Sequence, residues 1–103
     1  HAGYGAAGTH ARQAGASSDA EAMRWFRRAA AQGHAGALFN LGIMFAGARG
    51  VDRDPVQAHL WFALGAARGD AQAARAQEAM ATQMTPIQIA EAERLAVASG
   101  LAP

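Results

Sequence analysis

The amino-acid sequence predicts an all-α protein, a solenoid of antiparallel helix pairs with about five helices, closed by a C-terminal capping helix. Three observations predict it. The segment AMRWFRRAAAQGHAGA at 22–37 is written again as AHLWFALGAARGDAQA at 58–73, an offset of 36 residues that sets Trp25 on Trp61, Phe26 on Phe62 and Gly33 on Gly69. A period in this range is the mark of stacked helix pairs, each burying its apolar face on the next. Between the copies, apolar residues recur three and four apart, and helix-start and helix-stop residues recur in the same register.

Residues 1–17 are rich in glycine and small side chains, with Tyr4 as the one large residue. Carried back by one period, Leu41, Gly42 and Phe45 project onto Gly5, Ala6 and Thr9, so this segment reads as a flexible tail or an eroded helix with little to pack. The solenoid proper is expected over 18–103.

Ser18 followed by Glu21 has the spacing of a capping box, and the helix it opens carries Ala22, Trp25, Phe26, Ala29 and Ala30 on one stripe, with Gly33 as the left-handed residue that stops it. The next helix runs from Ala35 to about Ala48, with Ala37, Leu41, Met44, Phe45 and Ala48 toward the core. Gly42 in its middle costs about 1 kcal/mol relative to alanine, which points to a close neighbouring helix. Residues 49–52 connect, with Gly50 at positive φ. Asp54, one period after Ser18, begins the third helix, with Pro55 at its first position and Gln57 closing the box. Its expected core is Ala58, Trp61, Phe62, Gly65 and Ala66, and Gly69 ends it. Asp70 caps a fourth helix, about 71–84, with Met80 and Met84 as its larger apolar residues. Thr85, Pro86 and Gln88 open the last, which carries Ile89, Ala92, Leu95 and Ala96 and stops at Gly100. Its expected place is against the third helix, over Leu60 and Leu64.

Read together, Ala37-x-x-x-Leu41-Gly42-x-Met44-Phe45, then Gly50-Val51-x-x-Asp54-x-x-x-Ala58-x-x-Trp61-Phe62, then Ala66-Ala67-x-Gly69 resemble the Sel1-like repeat, a member of the tetratricopeptide-like superfamily. One full repeat spans about 35–70, preceded by a half repeat at 18–34 and followed by a degenerate pair. The sequence departs from the family pattern at Ala48, where glycine is usual, and at Gln77-Glu78, which stand in place of Leu-Gly. The resemblance implies a right-handed superhelix that serves as a bacterial adaptor or scaffold for protein partners, usually without catalysis.

Nine arginines face eight acidic residues for a net charge of +1, which gives no general attraction to nucleic acid or anionic lipid. The longest apolar run, 35–48, is broken by Asn40 and is too short to span a bilayer, so a soluble protein is expected; the resemblance implies a bacterial one, of cytoplasm or periplasm. Without cysteine there are no disulfides or thiolate metal sites. The chain opens on His1 and not on methionine, which fits a processed or recombinant product. Gly3 to Gly8 matches G-x-G-x-x-G, but no strand precedes it and no βαβ pattern follows. His1, His10, His34 and His59 lack ligand spacing, and the serines lie outside any nucleophile turn, so no metal, cofactor or catalytic residue is assigned.

The functional candidate follows from helix direction. With Leu41 and Phe45 inward, Phe39 and Ile43 fall on a stripe that tetratricopeptide-like packing places on the concave face. One period on, Gln72, Arg75 and Ala79 take the matching positions. These five residues form an apolar patch with a polar border, the composition of a groove for a protein or peptide segment. Cover by residues 1–17 or by a second copy of the chain is the competing expectation for that patch. An accessory domain of a Sel1-like hydrolase is the alternative function. Arg24, Arg27 and Arg28 are expected to form a solvated face, and the two tryptophans to be core.

Overall fold

The computed structural model describes residues 18–102. They form five helices: α1 (18–31), α2 (Ala35–Ala46), α3 (Pro55–Ala67), α4 (Ala71–Ala81) and α5 (Pro86–Ala98). No strand occurs among the described residues. The Gly-rich match at 3–8, Tyr4, His1 and His10 lie outside them.

Local chemistry sets the boundaries. Asp54 Oδ1 accepts from the Gln57 amide at the start of α3, and Asp70 Oδ1 accepts from the amides of Gln72 and Ala73 at the start of α4. At α5 the capping box is complete, with Gln88 N donating to Thr85 Oγ1 and Thr85 N to Gln88 Oε1. The box expected at Asp54 is only half made, because Gln57 Oε1 accepts instead from the indole of Trp61 at 3.1 Å. Each capped start satisfies orphan amides worth about 1 kcal/mol. Gly33, Gly50, Gly69 and Gly100 all have positive φ, as their positions require. Residue 18 is already helical, so the start expected at Ser18 falls at the border of the described chain.

Two helices end earlier than the pattern suggests. α2 stops at Ala46, and Ala48, expected on its core stripe, is exposed with φ of 56°. α4 stops at Ala81, which leaves Met84 in a turn, half-buried against the core. The last turn expected of α2 is exposed and gains nothing from burial.

α3 is the axis of the packing, in contact with α2, α4 and α5. Its Phe62 and Leu64, together with Leu38 and Leu41 of α2, are the largest fully buried side chains. Close approach is made possible by small residues: Phe62 lies directly on Gly42, and a Cβ on Gly65 would come 3.0 Å from that of Ala73. α5 lies on α3, and Leu60 and Leu64 are buried in the common core to which Ala92 and Ala96 also belong. Leu95 packs at its edge, while Ile89 is only half-buried. No described helix is long and apolar enough to cross a membrane.

The expected α1 stripe needs one correction. Trp25 is 64% exposed, whereas Met23, off the expected stripe, is buried. Trp61, its repeat partner, is half-buried against the core. Recurrence marks a position that can be buried, but burial requires neighbours, and Trp61 sits on α3, which packs on three other helices.

Candidate functional site

Phe39 and Ile43 lie one turn apart on α2 and are both accessible, but unequally. Ile43 is 36% exposed, so much of its aliphatic surface meets water. Phe39 is half-buried, its ring tilted 41° against that of Phe62 with centroids 5.8 Å apart. It is thus a shoulder of the core that keeps one face outside, less free than a pure surface residue. Gln72, Arg75 and Ala79 lie along α4 and are all exposed. α2 and α4 are the first helices of successive pairs, each packed on α3. The five positions lie in two rows, Phe39 and Ile43 on α2 and Gln72, Arg75 and Ala79 on α4.

The remaining border is partly committed. Arg53 Nη2 donates to Gln83 Oε1 at 2.8 Å, which ties the connection before α3 to the turn before α5. Arg49 pairs with Asp19 at 3.1 Å and holds the same connection to α1. Arg75 has no described partner and is the cation available to a ligand on the α4 row.

A second feature was missed by the sequence reading because recurrence assigned Trp25 to the core. An open cavity of about 290 Å³ on α1 is lined by Glu21, Arg24, Trp25 and Arg28. The guanidinium of Arg28 sits 5.2 Å from the Trp25 ring centroid, and that of Arg27 sits 5.9 Å from the Phe45 ring. The Arg-rich face is therefore partly stacked as well as solvated.

Titratable chemistry is sparse. His34 is the exposed N-cap residue of α2, at a helix junction. Glu91 is held below the usual carboxylate range by its hydrogen bond to Arg94, on the outer side of α5. His59 is buried, which pushes its imidazole pKa down, with Glu93 acting in the opposite sense. Among the described residues no cluster of three His, Asp or Glu side chains is placed to hold a metal ion.

The Sel1 repeat family matches residues 11–34 and 35–70, more than half of the chain. The chain belongs to the Sel1 repeat family. Its second matched unit coincides with the full repeat read from the sequence. Among solved structures it is similar to a protective antigen present in uropathogenic Escherichia coli strains, which displays an SLR fold. The identity is 30% with a TM-score of 0.73, over 76% of this chain and 17% of that one. The Sel1 chain thus spans about a sixth of the length of that antigen. No curated protein matches it. Repeats of this fold generally mediate protein–protein interactions.

Proposed function

We propose that this Sel1 repeat unit is a non-catalytic adaptor that docks an extended segment of a protein partner across the exposed rows of α2 and α4. The observation that carries this reading is Ile43 at 36% exposure beside the half-open ring of Phe39, on a helix whose other large side chains are buried. An isolated aliphatic–aromatic pair anchored on a rigid core is a good apolar contact, since little ordering is required on binding. Arg75 supplies a guanidinium for a carboxylate or main-chain carbonyl of the segment. Gln72 supplies an amide, and Ala79 leaves room for a backbone to approach. The dispersal of acidic side chains over caps and outer faces supports binding over catalysis, which needs titratable groups converging on one cavity. The E. coli antigen of similar fold supports a bacterial setting.

The test is affinity capture with immobilised protein, comparing the unsubstituted chain with Ile43→Glu and Arg75→Glu. A partner retained by the first and lost by both variants, each still fully helical by circular dichroism, meets the expectation. Loss confined to Trp25→Ala or Arg28→Glu would move the docking surface to α1.

A further inference from the structure

The cavity on α1 occupies a defined place in the repeat. Its lining residues, Glu21, Arg24, Trp25 and Arg28, stand one period before Gln57, Leu60, Trp61 and Leu64 of α3. In α3 those positions are packed: Leu60 and Leu64 are buried, and Trp61 is half-buried with its indole N–H donating to Gln57 Oε1. In α1 all four are exposed, Trp25 to 64%. The tryptophan recurs while the leucines beside it are replaced by arginines, so this face keeps an aromatic platform and carries charge where its counterpart carries packing residues.

Those charges are open to a partner. Among the described residues the ion pairs are Arg49 with Asp19 and Arg94 with Glu91, so neither Arg24 nor Arg28 is engaged by a carboxylate. Residues 1–17 contain no Asp or Glu to engage them, and add Arg12. Arg28 stacks on Trp25 at 5.2 Å from the ring centroid, which holds guanidinium and indole in one orientation before anything binds. Tryptophan and arginine are also the side chains that most often anchor a protein interface.

The spacing and the sign of the charges select the ligand. Arg24 and Arg28 are one helical turn apart, about 5–6 Å between Cβ atoms, and alternate side chains of an extended peptide point the same way at about 6.6 Å. Two carboxylates at alternate positions therefore reach both guanidiniums. Glu21 discriminates among anions, since its carboxylate repels a continuous run of phosphates but accepts a hydrogen bond from a peptide N–H. The chain's net charge of +1 adds no general attraction to nucleic acid or anionic lipid.

We propose that this face of α1 is a second docking surface, separate from the α2 and α4 rows, for an extended acidic segment of a protein partner. Carboxylates at alternate positions of the segment pair with Arg24 and Arg28, and an apolar side chain beside them covers Trp25.

Trp25 reports on this directly. In Trp61→Phe the one remaining indole is that of Trp25, and its emission is followed on adding a short synthetic peptide that alternates glutamate with proline, or the same peptide with glutamine for glutamate. The glutamate peptide should shift the emission to the blue and shield the indole from acrylamide, and added salt should weaken it. The glutamine peptide should bind at least about tenfold more weakly. Arg24→Glu combined with Arg28→Glu should abolish binding, whereas Arg75→Glu should leave it unchanged, which separates this surface from the α2 and α4 rows. Equal affinity for the two peptides, or binding that survives the charge reversal, overturns the proposal. Tighter binding of a thymidine oligonucleotide or of phosphatidylserine vesicles overturns it in favour of a phosphate ligand. An indole already shielded from acrylamide in the free chain overturns it too, in favour of a second copy if the chain elutes as a dimer and of residues 1–17 if it elutes as a monomer. If Trp61→Phe fails to fold, the Trp25 indole N–H resonance of the unsubstituted chain, assigned by its loss in Trp25→Phe, carries the same comparisons.

Discussion

The ring of Phe62 occupies the space above Gly42: a Cβ built on Gly42 would overlap Cδ1 and Cε1 of that ring. The conflict is between α2 and α3 at two core positions, and neither can retreat without moving a helix. Alanine at 42 gains about 1 kcal/mol in helix propensity, but overpacking a core costs about 1–3 kcal/mol. Gly42→Ala should therefore lower stability despite better propensity. Combining it with Phe62→Leu should restore part of the loss, a non-additivity that a double-mutant cycle by denaturant unfolding would reveal. Additive effects would show that the ring moves aside at no cost.

Ala48 gives the opposite case. It is exposed, sits at φ of 56° just past α2, and stands where the repeat usually has glycine. A left-handed alanine is strained by roughly 1–2 kcal/mol. Glycine removes the strain but adds entropy to the unfolded chain, about 0.5–1 kcal/mol in the other direction. The balance favours Ala48→Gly by roughly 0.5–1 kcal/mol, seen as a rise in melting temperature, whereas the β-branched Ala48→Val should lower it.

The two tryptophans separate by environment. Trp61 is half-buried, packs against the core and donates its indole N–H to Gln57, so Trp61→Ala should cost about 2–4 kcal/mol. Trp25→Ala, at 64% exposure, should stay within about 1 kcal/mol of the parent, close to Arg27→Ala. Equal urea midpoints for Trp61→Ala and Arg27→Ala would contradict the placement of Trp61.

What could be read from the sequence divides along the same physical line. Short-range chemistry was legible: Asp54, Asp70 and Thr85 cap their helices, Gly33, Gly50, Gly69 and Gly100 take left-handed conformations, and α5 spans the range its signals set. The closeness of Gly42 to a neighbour was legible too, since only proximity explains glycine there. Burial was less so, because it depends on how many neighbours a helix acquires. Leu38 was left off the core stripe of α2, yet it is fully buried beside Gly65 of α3, since a helix held on more than one side buries more than one face. For the same reason Phe39, read as a surface residue, leans on Phe62, and Ile43 is the cleaner probe of the proposed groove.

The capping role of α5 yields the last prediction. Positions 24 and 28 of the first repeat are arginine, and their partners 60 and 64 in the second are leucine, 4% and 1% exposed with α5 in place. Most of what α5 buries is small, Ala92 and Ala96, so it lies close to α3, and Arg68 Nη2 fastens the chain beyond it by donating to the Leu101 carbonyl at 2.8 Å. Deleting 85–103 removes the cover and the tie together. Exposing two leucines costs about 3–6 kcal/mol, comparable to the entire stability of a small domain. The shortened chain should therefore self-associate in size-exclusion chromatography or melt far below the parent. Arg68→Ala, which cuts the tie and the guanidinium's contact with Gly33 but leaves α5 in the chain, should lower the melting temperature slightly and leave the chain monomeric. A truncated chain that stays monomeric with an unchanged melting temperature would show that the leucines are buried by elements other than α5.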